Sequence, residues 1–262
     1  QILLVTTHSL ATNPRLVKEI IYFLNNSHTV TVVCFEFENE SKPFNDELLK
    51  KFPTVRFHLL KAGRESMYPW IKNTLAQKIS AMMLPLFATD PKYISLSTFK
   101  NSYQINKALN TLGGKFDWII AHNPGSFWAC SEYAKKHQCK FGVDMEDYHP
   151  GETTDHAKAK LLKTYLAKTL KNANYISAAS PLIMEHTMAD MAGYTGQSTV
   201  ILNSFPQKEF QAPICNKQEK ISLVWFSQHI NYGRGIEQIA SVLNKMDDRF
   251  EVHLYGKMHE DF

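Results

Sequence analysis

Short apolar runs alternate with helix-spaced apolar positions along the first part of the chain. The run Ile2 to Thr6 predicts a strand buried on both faces. Pro14 begins a segment whose apolar residues recur at helical spacing. Two further runs, 29–35 and 55–60, predict strands, whereas the polar segment 36–52 predicts a loop that ends in one helical turn. Connections of these lengths are crossovers, so the predicted strands are parallel.

The same alternation returns after residue 112 and predicts a doubly wound, Rossmann-like α/β domain over 1–204. Its later elements are predicted as strands 117–122, 140–143, 175–179 and 198–202 and helices 125–137, 155–172 and 181–191. The aperiodic segment 205–220 predicts a linker. A single β-α-β pattern in 221–262 predicts the incomplete start of a second Rossmann-like domain, which would bind a nucleotide sugar if the family resemblance given below holds.

Residues 63–97 interrupt this alternation. Apolar and aromatic residues are interleaved there with Arg64, Lys72 and Lys78. A basic, amphipathic segment can rest on a membrane surface, but such segments more often pack on a core. The sequence favours a helix packed on the sheet, with peripheral membrane contact as the alternative. A further helix is predicted over 98–112, ended by two glycines.

Composition narrows the class of protein without choosing one. The 262 residues are 44% hydrophobic and 21% charged, as in ordinary globular domains. The net charge of +4 suits an anionic ligand or a membrane surface and is too small to indicate nucleic-acid binding. The four cysteines show no C-x-x-C spacing, and no apolar run is long enough to span a bilayer. These features predict a cytoplasmic protein, with the inner face of the membrane as a further possible location.

The densest chemistry lies in FGVDMEDYHPGE, residues 141–152. An apolar run ends there in four carboxylates and one histidine. Burying unpaired carboxylates is costly, so the stretch suits the lining of a cleft, where carboxylate and imidazole groups bind hydroxyls or move protons. A solvated polar loop is the alternative interpretation.

Other polar side chains follow neighbouring strands at the same edge of the predicted sheet. Ligands of open parallel sheets bind beyond the carboxyl ends of the strands. The residues predicted to meet at this edge are Thr7, His8, Ser9, Asn13, Arg15, His122, Asn123, Asp144, Glu146, Asp147, His149, Ser180, Asn203 and Ser204. Their convergence favours a binding site over unrelated surface residues.

A second cluster of candidate residues lies in the last part of the chain. Arg234-Gly235 stands at a predicted helix start, where free N–H groups and a guanidinium favour phosphate; an exposed arginine is the alternative. No G-x-G-x-x-G follows the first strand, which disfavours a dinucleotide dehydrogenase, and no P-loop sequence occurs. Glu146 and His149 lie three residues apart, but in a predicted turn, where this spacing is a weak signal. The sequence shows no spacing that indicates a metal site.

Taken in order, these segments resemble the GT-B glycosyltransferases, and family 4 in particular. The resemblance lies in the order and spacing of ILLVTTHSLATNPRLVKEI, FDWIIAHNP, FGVDMEDYHPGE, NANYISAASPLIMEHTMADM, VILNSFPQKEF and LVWFSQHINYGRGIEQIASVL, which cover nearly the whole chain. It implies transfer of a sugar from a nucleotide sugar to a glycan or lipid-linked acceptor, with retention of configuration. It also implies no required metal or other cofactor.

The resemblance assigns roles to individual residues. His122 matches the histidine beside the transferred sugar, while Glu146 and Asp147 match acceptor-side positions, so these three form the predicted catalytic group. The predicted donor-phosphate residues are Gln228, Arg234, Gly235 and Asn203. The predicted acceptor-binding residues, from the sheet edge, are His8, Asn13, Arg15, Asn123 and His149.

Departures from the family pattern keep other functions open. Gln228 stands where the family has an arginine, Ser204 replaces a glycine, and residues 12–15 replace a glycine-rich loop. The E-x7-E segment that holds the donor lies beyond residue 262, so we expect the chain alone to be inactive. A nucleotide-sugar 2-epimerase of the same fold is one alternative, and a non-catalytic sugar- or partner-binding domain is the other.

Overall fold

The computed structural model describes residues 1–207, 210–211, 220–246 and 249–258. The chain divides into two compact units, Gln1–Ser204 and Phe205–Phe262. The side chain of Gln228 lies outside this description, as do residues 208–209 and 212–219 of the predicted linker.

A seven-stranded parallel sheet organises the first unit, in the order β3-β2-β1-β4-β5-β6-β7. The strands are β1 (Ile2–Thr6), β2 (Val30–Glu36), β3 (Arg56–Lys61), β4 (Trp118–His122), β5 (Lys140–Met145), β6 (Tyr175–Ala178) and β7 (Gln197–Val200). The order reverses between β1 and β4, which creates the switch point where open sheets bind ligands. The predicted doubly wound, Rossmann-like sheet is confirmed.

Helices cover both faces of the sheet. They are α1 (Pro14–Asn25), α2 (Lys42–Lys51), α3 (Met67–Met83), α4 (Pro91–Thr98), α5 (Ser102–Thr111), α6 (Pro124–His137), α7 (His156–Leu170) and α8 (Pro181–Asp190). On one face, Leu16 and Ile20 of α1 pack on Leu4 and Val32. On the other, α4 to α8 pack on the alternate positions of the same strands. Strands with both faces buried explain the continuous apolar runs in the sequence.

The segment 36–52 is a correction to the sequence prediction. It contains α2, a helix of ten residues, instead of a loop with one turn. Leu48 and Leu49 pack on the core. Asn45, three and four residues before them, accepts a hydrogen bond on its side chain from the Leu10 backbone at 2.9 Å. Tertiary packing therefore stabilises a helix that the charged residues between these positions conceal.

Residues 63–112 also differ from prediction. Only α5 forms within the helix expected over 98–112, because the helical conformation is interrupted at Phe99, between α4 and α5. The Phe99 side chain turns inward against Tyr165 and Gly125. Before this break, α4 joins the core through Ile94, whereas α3 packs on α4 and α5 and leaves a run of apolar side chains exposed. In the part of the chain that the structure describes, no helix is long and apolar enough to cross a bilayer.

The second unit contains one parallel β-α-β arrangement in its described residues. Its elements are β8 (Ile221–Ile230), α9 (Ile236–Leu243) and β9 (Phe250–Met258). The pairing of β8 with β9 shifts register between Phe226 and His229.

Candidate functional site

The carboxyl ends of β1, β4 and β5 lie side by side at the switch point of the first unit. Thr6 pairs in register with His122, and His122 pairs with Asp144. Three strands distant in sequence therefore present hydroxyl, imidazole and carboxylate groups within one small region. The helix α1 passes over the same region and adds Arg15 and Glu19 to it.

His122 lies at the centre of this group and is surrounded by carboxylates. Its Nε2 lies 3.0 Å from Glu19 Oε2, and its Nδ1 lies 3.3 Å from Glu146 Oε1 and 3.6 Å from Asp144 Oδ2. The ring has no solvent-exposed surface. A sugar can touch this imidazole only after Glu19 or Glu146 has moved aside.

The charges of these neighbours decide the protonation state of His122. Burial alone would lower its pKa, but Glu19, Glu146 and Asp144 outweigh burial and raise that pKa to about 10. His122 is therefore an imidazolium at neutral pH. Burial would likewise raise the pKa of Asp144, but the hydrogen bonds from Arg15 and the charge of His122 hold it below its ordinary value.

Asp144 is clamped by Arg15 in a bidentate ion pair. Arg15 Nε donates to Oδ2 and Nη2 donates to Oδ1, each at 2.6 Å. Ser177 Oγ donates to Oδ1 at 2.6 Å. The remaining guanidinium nitrogen of Arg15, Nη1, donates to Ile201 O at 2.7 Å and to Asn203 Oδ1 at 3.0 Å. This clamp ties α1, β5, β6 and the segment after β7 together.

The predicted acceptor residues Arg15 and Asn13 are thus used inside the protein. Asn13 is fully buried; its Oδ1 caps α1 by accepting from Leu16 N, and its Nδ2 donates to Thr6 Oγ1. Arg15 donates hydrogen bonds to Asp144, Ile201 and Asn203. Asn203, predicted as a donor-phosphate residue, accepts from Arg15 instead.

Asn123 holds Glu146 at the edge of the cluster. Its Nδ2 donates to Glu146 Oε2 at 3.4 Å, and its Oδ1 accepts from Thr6 Oγ1 at 2.6 Å. The residue has φ 68°, in the left-handed region that asparagine tolerates better than most residues. That backbone geometry turns the chain from β4 into α6 and aims the amide at Glu146.

The outer residues of the acidic turn are open to solvent. His8 and Asp147 are exposed, and His149 Nδ1 lies 2.9 Å from Glu152 Oε2. Glu146 connects the two layers, because its side chain touches the buried His122 and still keeps 19% of its surface exposed. Of the three predicted catalytic residues, Glu146 is the one that meets both the buried cluster and the solvent.

The sequence interpretation missed Glu19, and it placed Asp144 at this edge without assigning it a catalytic or binding role. Glu19 lies one helical turn after Arg15 on α1, so the spacing already placed both on one face. Asp144 is the first acidic residue after a run of buried positions, which is a signal of a paired internal charge. In the sequence, however, the first signal looks like an ordinary solvated helix face and the second like an ordinary strand end.

The groups His122, Asp144 and Glu146 offer ligand atoms within 4.8 Å of one another. A divalent cation would need the lone pairs of Asp144, but these already accept three hydrogen bonds from Arg15 and Ser177. His122 is also protonated, whereas a metal ligand must be neutral. These residues therefore do not fit a metal ion.

A cavity of about 610 Å³ opens beside the cluster. It is bounded by α1, by β5 and β6, and by residues 201–204, and it reaches the charged groups at Arg15, Glu19 and Asp144. Tyr22 and Tyr175 form part of its wall. Its size is in the range of small-molecule sites.

The predicted donor residues other than Asn203 lie in the second unit. Arg234 Nη1 donates to Ser227 Oγ at 3.0 Å, and Gly235, with φ 88°, precedes α9 as its N-cap. Glu237 already occupies this helix start, because its carboxylate accepts from Gly233 N at 2.6 Å. A phosphate bound here would share the N-terminus of α9 with that carboxylate.

Comparison with known proteins identifies the fold. No family model and no characterised protein sequence matches the chain. Among solved structures, Anabaena HepE in complex with UDP and glucose is similar with a TM-score of 0.59 and 10% identity, over 98% of this chain and 61% of HepE. TarM is similar with a TM-score of 0.62 and 12% identity, over 100% of this chain and 72% of TarM.

An E. coli protein described as trehalose-6-phosphate bound with UDP-2-fluoro glucose has a TM-score of 0.55 and 10% identity, over 99% of this chain and 65% of that chain. The chain thus spans less than two thirds of the length of HepE. At such identities the similarity concerns the fold. The chain has the Rossmann-like GT-B architecture predicted from its sequence.

Proposed function

We propose that this chain is the acceptor-side part of a glycosyltransferase that transfers a sugar from a nucleotide sugar to a glycan or lipid-linked acceptor. The observation that carries the proposal is the cluster of Glu19, His122, Asp144 and Glu146 at the switch point of the sheet. Fold relatives solved with UDP and with glucose support the substrate class. Family 4 membership and retention of configuration belong to the same proposal.

Glu146 is the residue we assign to the acceptor. Its carboxylate is held from one side by His122 and from the other by Asn123, so its position is set before any ligand arrives. The exposed part of the carboxylate can accept a hydrogen bond from a sugar hydroxyl. Fixing the direction of that hydroxyl would lower the entropic cost of reaching the transition state.

His122 and Asp144 are positioning residues in this scheme. The buried imidazolium neutralises part of the charge of three carboxylates, and Arg15 neutralises Asp144 from the opposite side. Without these two cations, the carboxylates would repel one another and Glu146 would lose its fixed place. The exposed Asp147 and His8 and the partly buried His149 would surround the acceptor.

The donor half of the proposal rests on Arg234. A guanidinium at a helix start would stabilise the diphosphate as it departs. We propose that Gly235 lets the backbone N–H groups of α9 approach the same phosphates, and that Gln228 contributes from β8. We also propose that no metal takes part at the cluster of the first unit, because Asp144 already accepts hydrogen bonds from Arg15 and Ser177.

The acceptor sets the place of action. A lipid-linked acceptor is presented at a bilayer, so we propose that the protein works at the inner face of a membrane and that residues 63–97 contact it. The exposed apolar side chains of α3 support this part of the proposal.

The experiment that tests the proposal is a turnover assay on the complete gene product with UDP-, GDP- and ADP-sugars. Release of nucleoside diphosphate that requires a glycan or lipid-linked acceptor is the expected result. Conversion of the nucleotide sugar without acceptor would identify an epimerase instead. Absence of both turnover and nucleotide-sugar binding over the whole panel would contradict the assignment.

A matched pair of variants tests the donor residue. Arg234→Ala is expected to weaken nucleotide-sugar binding at least about tenfold, because a charge-assisted hydrogen bond contributes about 1.5–3 kcal/mol. Lys257→Ala removes an equal charge from the exposed end of β9 and should leave binding unchanged. Equal weakening by both changes would show that Arg234 holds no phosphate.

A further inference from the structure

A groove remote from the sheet switch point runs along the outer edge of β3. It has a volume of about 690 Å³ and lies between β3, α3 and α5. Because β3 is the outermost strand of the described sheet, its outer edge pairs with no other strand there. The Gln104 side chain donates to Lys61 O at 2.9 Å, which ties α5 to the strand.

The side chains of the groove are strongly basic. Arg56, Lys61, Lys72 and Lys107 line it, and none of the described residues lining it is acidic. Arg56, Lys72 and Lys107 form no ion pair within the part of the chain that the structure describes. Cations that lack a carboxylate partner remain available to an external anion.

The Lys72 side chain is held toward the groove by an aromatic neighbour. Its Nζ lies 4.1 Å from the centroid of the Tyr68 ring, and Tyr68 lines the groove as well. Lys72 is half-buried, so its aliphatic part is packed and its ammonium group is directed. On the strand side, His58 Nε2 has no hydrogen-bond partner among the described residues.

An exposed apolar surface borders the groove. We name it the α3 stripe; its members are Met67, Ile71, Leu75, Ile79 and Met82, each exposed and spaced three or four residues apart. Such spacing puts all five on one side of α3. Tyr68 and Lys72 directly follow the first two members, so the stripe and the groove share an edge.

The charge of this region matches an anionic surface. Residues 63–107 contain six basic and two acidic side chains, a local charge of +4 that equals the net charge of the whole chain. An apolar stripe with cations beside it fits a bilayer interface containing anionic lipids. A protein partner would have to be apolar opposite the stripe and acidic opposite the groove. An anionic bilayer has both properties.

We infer that the groove between β3, α3 and α5 binds the phosphate-bearing headgroups of anionic lipids while the α3 stripe enters the bilayer interface. Arg56, Lys72 and Lys107 supply the cations, and backbone N–H groups at the outer edge of β3 supply further donors. The inference rests on the membrane contact proposed above for residues 63–97, and its surface is separate from the charged cluster at the switch point.

The test is binding of the protein to vesicles of phosphatidylcholine mixed with phosphatidylglycerol, compared with pure phosphatidylcholine. Binding to the mixed vesicles alone is expected. The groove variant Lys72→Gln/Lys107→Gln should bind about tenfold or more weakly, since each basic residue near an anionic surface contributes several-fold. The control Lys158→Gln/Lys168→Gln removes the same charge from exposed positions of α7 and should bind as the parent does.

Equal losses in the groove variant and the control would overturn the inference, because they would show a diffuse charge effect. The variant Lys72→Arg/Lys107→Arg keeps the charge and is expected to retain binding. The stripe variant Ile71→Ser/Leu75→Ser should weaken binding to the mixed vesicles as well. If it instead converts a dimer to a monomer, and no vesicle binding is found, a second copy of the chain occupies the stripe and the inference is wrong.

Inorganic phosphate separates a headgroup in a bilayer from free phosphate. Phosphate and potassium chloride at equal ionic strength should release the protein from mixed vesicles equally. Selective release by phosphate would show a site for the free ion and would overturn the assignment to headgroups. Transfer to a water-soluble acceptor should be unaffected in the groove variant, so loss of vesicle binding is distinguishable from failure of the proposed enzymatic function.

Discussion

Two regions of the first unit handle charge in opposite ways. At the switch point, Arg15 and His122 are buried and each faces carboxylates at close range. Along the edge of β3, Lys72 and Lys107 line an open groove without a carboxylate among its described lining residues. Paired buried charges fix a geometry, whereas unpaired surface charges remain available to bind. Residues of the buried cluster are therefore expected to affect stability, and residues of the groove are expected to affect ligand binding.

The largest effect is expected from Asp144→Asn, which leaves Arg15 and His122 buried without their shared partner. Breaking a buried ion pair from one side costs about 3–5 kcal/mol. For a chain of this size that corresponds to a fall in melting temperature of about 10 °C. Thermal and urea unfolding measure it. Glu132→Gln, at an exposed pair on α6, is the control and should change stability by less than about 0.5 kcal/mol. A similarly small change for Asp144→Asn would contradict the clamp.

The next effect is expected in the pH dependence of stability. The folded pKa of His122, about 10, lies above the ordinary value of 6.5. The protonated imidazole therefore stabilises the fold fully below pH 6.5, and this contribution disappears as pH rises through about 10. His122→Gln should be less stable than the parent at pH 6, with a gap that narrows toward pH 10. A constant gap across this range in urea unfolding would show that His122 is neutral.

The smallest effect on stability is expected in the groove. Lys72→Gln/Lys107→Gln removes cations that have no carboxylate partner within the described residues, so the free energy of unfolding should change by less than about 0.5 kcal/mol. Calorimetric melting of this variant beside Asp144→Asn compares the two regions directly. A loss as large as that of Asp144→Asn would mean that the groove charges hold the fold together.

Much of the sheet could be predicted because its strands are buried on both faces. Ile2–Thr6 and Trp118–His122 are continuous apolar runs, and their order requires crossovers. The helix α2 could not be predicted from its own residues, since Leu48 and Leu49 lie among charged side chains and gain their stability from the core. Apolar contacts with residues that are distant in the sequence leave little signal in the local sequence pattern.

The location of the site could be predicted from the sequence, but the contacts among its side chains could not. The edge of the sheet followed from strand order, which put His122 and Glu146 together. The burial of His122 depends on Glu19, which is 103 residues away in the chain and contacts it at 3.0 Å. Arg15 resembled a ligand-binding residue in the sequence, and only its distances to Asp144 identify it as an internal partner.

The central claim is that the partly exposed Glu146 directs the acceptor from a cluster whose other members are internal. The most direct test is kcat/KM of Glu146→Gln for sugar transfer by the complete gene product, with Glu132→Gln as the control. We predict a loss of about ten- to a hundredfold, since a hydrogen bond to a charged group contributes about 1.5–3 kcal/mol. The melting temperature should fall less than in Asp144→Asn, because the Glu146 carboxylate is partly exposed. Unchanged kcat/KM in Glu146→Gln would contradict the claim.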